Sequence, residues 1–205
     1  MGTGTPDVLR SMFLTHTTDD ETATAHQAAT AQFGFLPNWA VALGGRPAVL
    51  AAWNQLSTVI RNGMDRRRYE LATIAAAQVL RSTYCAIAHT WLLTHKLGLV
   101  DPDELPQILT DPAHAAELSD VDRAVMAFAA KVATDASTVT AADVQDLRDQ
   151  GLSDGDVLDV AFAAGARCFF ATVLDAVGAQ TDRELADALG PEVSALLTVG
   201  RPIAG

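Results

Sequence analysis

Helix-start and helix-stop signals follow one another along this chain, and alternating strand patterns are nearly absent. Thr18-Asp-Asp-Glu21 is a capping-box pattern that predicts a helix to about Ala31. A turn follows around Gly34 and Pro37. Pro47 then starts a helix to about Arg61, with Leu50, Trp53, Leu56 and Ile60 on one face, and Asn62-Gly63 ends it. Leu71, Ile74, Ala75, Gln78 and Val79 keep helical spacing over a stretch from Asp65 to about Tyr84. Another helix runs from about Ser82 to Leu97 and stops at Gly98. Residues 81–84 read equally as a break or a continuation; with a break, Ser82 is the N-cap and Cys85 lies in the first turn. Further helices are expected from Asp120 to Thr134, from Thr140 to Gln150 and from Ser153 to Ala176. A capping box at Thr181-Asp-Arg-Glu184 precedes a short tail helix. Gly63-Met-Asp and Gly151-Leu-Ser both precede Ala-rich helices, which hints at two similar halves. The expectation is an all-α helical bundle packed around the Ala-rich segments.

Length and composition bound the function. The chain has 205 residues, 49% of them hydrophobic and 19% charged, which suits a single domain over residues 1–205. Its net charge of −11 and pI near 4.6 repel phosphate backbones, so a nucleic-acid partner is not expected. The first residues show no basic segment followed by an apolar run, and the long apolar stretches are interrupted by Arg, Gln, Thr or Asp. Neither a signal peptide nor a membrane partner is therefore expected. Two distant cysteines, Cys85 and Cys168, do not make a disulfide scaffold, and a reducing cytoplasm is the expected setting.

One stretch concentrates the chemistry. From Arg68 it reads RYELATIAAAQVLRSTYCAIAHTWLLTHKLG, with eleven residues between Glu70 and Ser82, two between Ser82 and Cys85, and three between Cys85 and His89. Residues three and four apart share a helix face, so Ser82, Cys85 and His89 form one short polar stripe. A thiol one turn from an imidazole is readily deprotonated, and a first-turn position adds the helix dipole's preference for a thiolate. Each residue also has a plainer reading. Cys85 is equally a small core residue, His89 a core histidine on a carbonyl, Glu70 an exposed partner of Arg66, and Ser82 a helix cap. Trp53 and Trp91 read as core or interface, His95 as a surface residue, and Cys168 as packing. Cys85 and His89 supply two ligands on one face with no second pair at metal spacing, so neither a metal nor a cofactor is expected.

The Glu70–Ser82–Cys85–His89 spacing resembles that of the alkylhydroperoxidase D-like and carboxymuconolactone decarboxylase superfamily, in its peroxidase-related branch. That pattern is Glu, eleven residues, Cys, two residues, Cys, three residues, His. Here Ser82 stands at the first cysteine. The fragments GFLPNWAVAL from Gly34 and VTAADVQDLRDQGLSDGDVLDVAFAA fit the same resemblance, which covers about residues 33–178. It implies an alkylhydroperoxidase D-like bundle, a homo-oligomer (dimer, trimer or hexamer), and Glu70 in a proton relay with His89. It also places the Pro37-Asn38 turn at the pocket mouth, with Phe33, Phe35, Leu36 and Tyr84 as walls.

Three functions follow. In the first, Cys85, activated by His89 and Glu70, reduces hydroperoxides, and an external thiol resolves it because Ser82 removes the C-x-x-C pair. The second is a cofactor-free decarboxylase, isomerase or lactone-processing enzyme that uses Glu70 and His89 on a small-molecule substrate. The third is a helical interaction protein that kept only the fold.

Overall fold

A computed structural model describes residues 12–14 and 20–205, so the Thr18 end of the first capping box lies outside the described residues. Among these residues the structure is helical and without strands. The elements are α1 (Asp20–Phe33), α2 (Asn38–Gly44), α3 (Pro47–Gly63), α4 (Arg66–Val79), α5 (Thr83–Trp91), α6 (Leu105–Thr110), α7 (Asp120–Asp135), α8 (Ala141–Asp149), α9 (Asp154–Ala176), α10 (Arg183–Leu189) and α11 (Pro191–Leu197). A π turn over Leu92–Lys96 extends α5, and Gly98 closes it at φ +61°, the left-handed conformation that favours glycine.

Capping boxes start α7, α8 and α9. Ser119, Thr140 and Ser153 each accept from the backbone N–H three residues on, and Asp122, Asp143 and Asp156 return the bond. The Thr181 box does not form. Asp182 holds the N-cap position of α10 without a side-chain cap bond, because its carboxylate is engaged elsewhere. The tail is two helices, divided at Gly190-Pro191.

α4 and α9 form the centre. Residues 69–77 of α4 are all buried, as expected of a helix apolar on every side. Leu71, Ile74 and Ala75 belong to a core shared with α2, α3, α5, α6 and the tail helices, whereas Tyr69, Ala72 and Ala76 belong to a second core with α7, α8 and the first half of α9. The alanines let the helices approach closely. α9 is long and apolar enough to cross a membrane by length and composition alone, and half of its apolar window is buried against the neighbouring helices. The two Ala-rich helices are unequal: α9 runs 23 residues unbroken, and α4 stops after 14. On α3, Leu50, Trp53 and Ile60 are buried as the spacing predicts, but Leu56 faces outward.

The open question at residues 81–84 resolves as a break. Ser82 N–H bonds Ala77 O at 2.9 Å and Arg81 N–H bonds Gln78 O at 3.0 Å, a Schellman closure with Arg81 in the position usually taken by glycine. Arg81 therefore carries φ +57°, a strain of about 1 kcal/mol for a residue with a Cβ. The C-terminal segment braces this turn: Arg81 Nε donates to Val199 O at 3.1 Å, and Gly200 N–H donates to Thr83 Oγ1 at 2.9 Å. A Cβ on Gly200 would stand 1.9 Å from the Arg81 carbonyl oxygen, so only glycine fits there. The turn sets the direction of α5, which carries the thiol and the imidazole.

Candidate active site

Glu70 is the only carboxylate in the buried run of α4 and is fully shielded from solvent. Both of its oxygens are engaged. Arg66, one turn earlier, forms an ion pair from Nη2 to Oε1 at 2.6 Å, and His89 Nδ1 meets Oε2 at 2.5 Å. The plain reading and the chemical reading of Glu70 are thus joined. Arg66 is its i,i+4 partner, yet the carboxylate points inward to the imidazole.

His89 contacts Arg167 through its other nitrogen. Arg167 Nη1 lies 3.0 Å from His89 Nε2. A guanidinium only donates, so Nε2 presents its lone pair and Nδ1 carries the hydrogen that Glu70 accepts. Burial lowers the histidine's proton affinity. Glu70 opposes this, while Arg167 and Arg66 reinforce it, and the imidazole is neutral near pH 7.

Ser82 occupies the N-cap of α5 by its backbone, though its hydroxyl makes no cap bond. Cys85 follows in the first turn, with Sγ 3.9 Å from Arg167 Nη1. Burial pushes the thiol's pKa up; Arg167 and the Ser82 hydroxyl work against that rise. The resting group is a thiol. Arg167 is therefore the common neighbour of thiol and imidazole. It is 3% exposed, and its guanidinium lies 5.3 Å from the Trp53 ring centre and 5.2 Å from that of Phe170, which stack on each other.

A cavity of about 260 Å³ opens onto these groups. Cys85, His89 and Arg167 lie on its wall, together with Tyr69 and Tyr84, and Phe33, Trp39, Trp53 and Phe170 supply flat apolar faces. Glu70 and Ser82 do not line it; they stand behind His89 and Cys85. Phe35, Pro37 and Asn38 do not line it either. Asn38 donates from its side chain to Gln180 O at 3.0 Å and from its backbone N–H to Asp182 Oδ1 at 2.8 Å, which turns this segment toward the tail. Phe33 and Trp39, on either side, take the wall positions, and Phe35 packs on Phe33 at 6.2 Å between ring centres.

Tyr84 links this segment to the cavity. Its hydroxyl accepts from Trp39 N–H at 3.1 Å and donates to Asp182 Oδ2. Burial, then Asp182, pushes the tyrosine's pKa well up. Asp182 itself is pushed up to about 6, chiefly by burial, despite the bonds from Tyr84 and Asn38.

Sequence reasoning missed Arg167, Asp182 and the cavity face of Trp53. Arg167 had a signal: it is the only charged residue between Asp159 and Asp175 on α9. Cys168, beside it, is half-buried, and both cysteines are free thiols. His95 is exposed near the end of the π turn and Trp91 is half-buried. No group of three metal-ligating side chains occurs among the described residues.

Residues 47–110, from the start of α3 to the end of α6, match the carboxymuconolactone decarboxylase family. That segment contains Glu70, Ser82, Cys85 and His89, whereas Arg167 and Asp182 come from outside it. No curated protein matches the chain. Among solved structures, the alkylhydroperoxidase AhpD core of a peroxidase-related protein from Ralstonia eutropha JMP134 superposes with a TM-score of 0.76 at 21% identity, over 85% of this chain and 94% of that one. A peroxidase-related protein from Silicibacter sp. TM1040 gives 0.74 at 22% identity, over 85% and 94%. The debrominase Bmp8, as a cysteine-to-alanine variant holding 2,3,4-tribromopyrrole, gives 0.72 at 15% identity, over 89% and 96%. At these identities the structural likeness speaks for the fold, and the family match adds the segment that carries the thiol and imidazole. Residues 47–110 are thus similar to the carboxymuconolactone decarboxylase family, and the fold of the chain is that of the alkylhydroperoxidase D-like proteins.

Proposed function

We propose that this protein is a one-cysteine thiol enzyme that reduces a hydroperoxide in its aromatic cavity. The observation that carries the reading is Arg167 Nη1, which reaches both Cys85 Sγ at 3.9 Å and His89 Nε2 at 3.0 Å. A fixed cation beside the thiol stabilises the thiolate as it forms, and in a dry site that interaction is strong. His89 Nε2 receives the thiol proton, and the imidazolium is held by the Glu70 carboxylate at Nδ1. The thiolate attacks the outer peroxide oxygen and the O–O bond breaks. The departing alkoxide takes the proton from His89, leaving Cys85 as a sulfenic acid and releasing an alcohol. With Ser82 in place of a partner thiol, an external thiol attacks the sulfenic sulfur and expels water. A second external thiol then releases Cys85 and leaves with the first as a disulfide.

A second reading uses the same base without the thiol. A neutral imidazole, backed by a buried carboxylate, removes a proton from a carbon acid once Arg167 turns from its Nε2 lone pair to the substrate oxygen, where it holds the resulting enolate. The bound bromopyrrole of the debrominase lends support to a flat ligand in either case, since Phe33, Trp39, Trp53 and Phe170 offer flat faces here.

The first experiment exposes reduced protein to limiting organic hydroperoxide with a sulfenic-acid trap, followed by peptide mapping. Rapid labelling of Cys85 and not of Cys168 is expected, at a rate that climbs with pH because burial keeps the resting thiol protonated. Labelling of Cys85 no faster than that of a free thiol would overturn the thiol reading. Hydrogen–deuterium exchange into a carbon acid, retained in Cys85→Ala and lost in Glu70→Gln, would then support the second.

A further inference from the structure

Twenty-five acidic residues give this chain a net charge of −11, yet among the described residues no aspartate or glutamate lines the cavity. Two arginines do, Arg61 and Arg167. Elsewhere, Arg67, Arg123, Arg148, Arg201 and Lys131 are each paired with a carboxylate. The two cavity arginines have no carboxylate partner among the described residues. Glu70, the nearest buried anion in the network, is already taken by Arg66 and by the imidazole.

Arg167 is a buried cation whose only polar contacts among the described residues are the imidazole lone pair and the thiol. Its Nε is buried with no hydrogen-bond partner. An uncompensated buried charge is strongly unfavourable, and a donor left idle is a further loss. Arg61 also lines the cavity, half-buried and eight residues along α3 from Trp53, and its one hydrogen bond among the described residues is to Thr58 Oγ1 at 3.4 Å. Asn54, Ser57, Thr58 and Arg61 follow the i, i+3, i+4, i+7 spacing on α3, so one helix face offers the cavity a polar rim ending in a cation. The remaining walls are largely aromatic.

We infer that the natural ligand is an organic anion, a flat apolar molecule whose carboxylate pairs with Arg61 at the rim while its reacting end lies beneath Arg167. The inference rests on the proposed thiol chemistry only for the identity of the reacting end, which would be a hydroperoxide. The binding claim does not need turnover. Charge in the chain as a whole repels such a ligand, but beyond about 8 Å that field is screened at physiological ionic strength, and the cavity wall is locally positive.

The test uses an unreactive pair that differs only in charge, 4-isopropylbenzoate and 4-isopropylbenzamide. Binding is followed through the fluorescence of Trp39 and Trp53, both on the cavity wall. The carboxylate is expected to bind about fivefold to tenfold tighter than the amide, as a partly desolvated arginine–carboxylate pair allows. In Arg61→Gln the two should bind equally. Equal binding in the wild type, or a preference that survives Arg61→Gln, would overturn the inference. A parallel comparison of cumene hydroperoxide with its para-carboxylate separates the two ideas. If the carboxylate preference holds but Cys85 is not oxidised by either peroxide, the thiol reading falls and the anion site stands. If both peroxides oxidise Cys85 equally fast and the benzoate shows no advantage, the thiol reading stands and the anion site falls.

Discussion

Glu70 and Asp182 are both buried carboxylates bound to a side chain of α5, and they are held in opposite ways. Glu70 has a full countercharge, Arg66 at 2.6 Å, and an imidazole at 2.5 Å. Asp182 has no cation within ion-pair distance among the described residues. It is held by the Tyr84 hydroxyl and the Asn38 N–H, and it stands at about 6 instead of near 4. Neutral donors orient a carboxylate well, but they do not offset the loss of water around its charge. The pairing at Glu70 sets a cation against one carboxylate oxygen and the imidazole against the other. The bonding at Asp182 fixes three chain segments around the cavity: the Asn38 turn, Tyr84 and the start of α10. One carboxylate is built for charge and the other for position.

The largest effect should separate them in activity. Glu70→Gln leaves an acceptor for the His89 Nδ1 hydrogen but removes the charge that stabilises imidazolium. We expect the peroxide-dependent labelling of Cys85 at pH 7.5 to slow by about 10²-fold, the low end of what positioned acid–base groups contribute. Asp182→Asn should change that rate by less than about threefold, since Asp182 touches neither the thiol nor the imidazole. Stopped-flow trapping on both variants tests this; equal losses would erase the distinction between the two sites.

These two carboxylates also show what the sequence made legible. Spacing puts Ser82, Cys85 and His89 on one stripe and the family resemblance adds Glu70; the break before Ser82 stays open in the sequence, because Arg81 and not glycine takes its left-handed position, whereas the Gly98 stop could be read from local turn chemistry. Arg167 could not, because it joins them only through the packing of α9 on α4 and α5, a long-range contact that spacing does not encode. Its isolation as a lone charge in an Ala/Phe-rich face was the available clue. Asp182 was concealed differently. Thr181-Asp-Arg-Glu184 has the letters of a capping box, and a local pattern cannot reveal that the Asp182 carboxylate is drawn off by Tyr84 and Asn38. Phe35, Pro37 and Asn38 stand off the cavity wall for the same reason, since Asn38 bonds Asp182.

A smaller effect concerns stability against pH, and its sign follows from the direction of the Asp182 shift. The folded protein binds this proton more tightly than the unfolded chain does, at about 6 against the ordinary 3.8. Between these values the folded state holds the extra proton, so stability falls as pH rises through about 4 to 6 and the loss persists above. The full loss is about 3 kcal/mol, of which about 2 kcal/mol falls between pH 4 and pH 7.5. His89 slopes the other way. Its proton affinity is lowered by folding, so its contribution is present above 6.5 and is lost on acidification below it. Urea unfolding of wild type and Asp182→Asn at pH 4 and pH 7.5 isolates the first term. The variant should gain about 2 kcal/mol relative to wild type between those pH values; an unchanged difference would mean that Asp182 titrates normally.

The smallest expected effect is the sharpest test of independence. Both carboxylates act on α5, through Tyr84 and His89, and the two side chains leave the helix toward different partners: Trp39 and Asp182 for one, Glu70 and Arg167 for the other. No hydrogen bond joins the two groups. Sites without shared partners add within about 0.5 kcal/mol, so a cycle of Glu70→Gln, Asp182→Asn and the double variant, read by urea unfolding at pH 7.5, should give a coupling below that value. A larger coupling would mean that α5 transmits a shift from one end to the other, for which the strained turn at Arg81 and its brace at Gly200 are the available pivot. The same cycle in Arg81→Gly, which relaxes that turn, then distinguishes the routes: coupling carried by the pivot changes with the substitution, and coupling carried through the Tyr84–Cys85 neighbourhood does not.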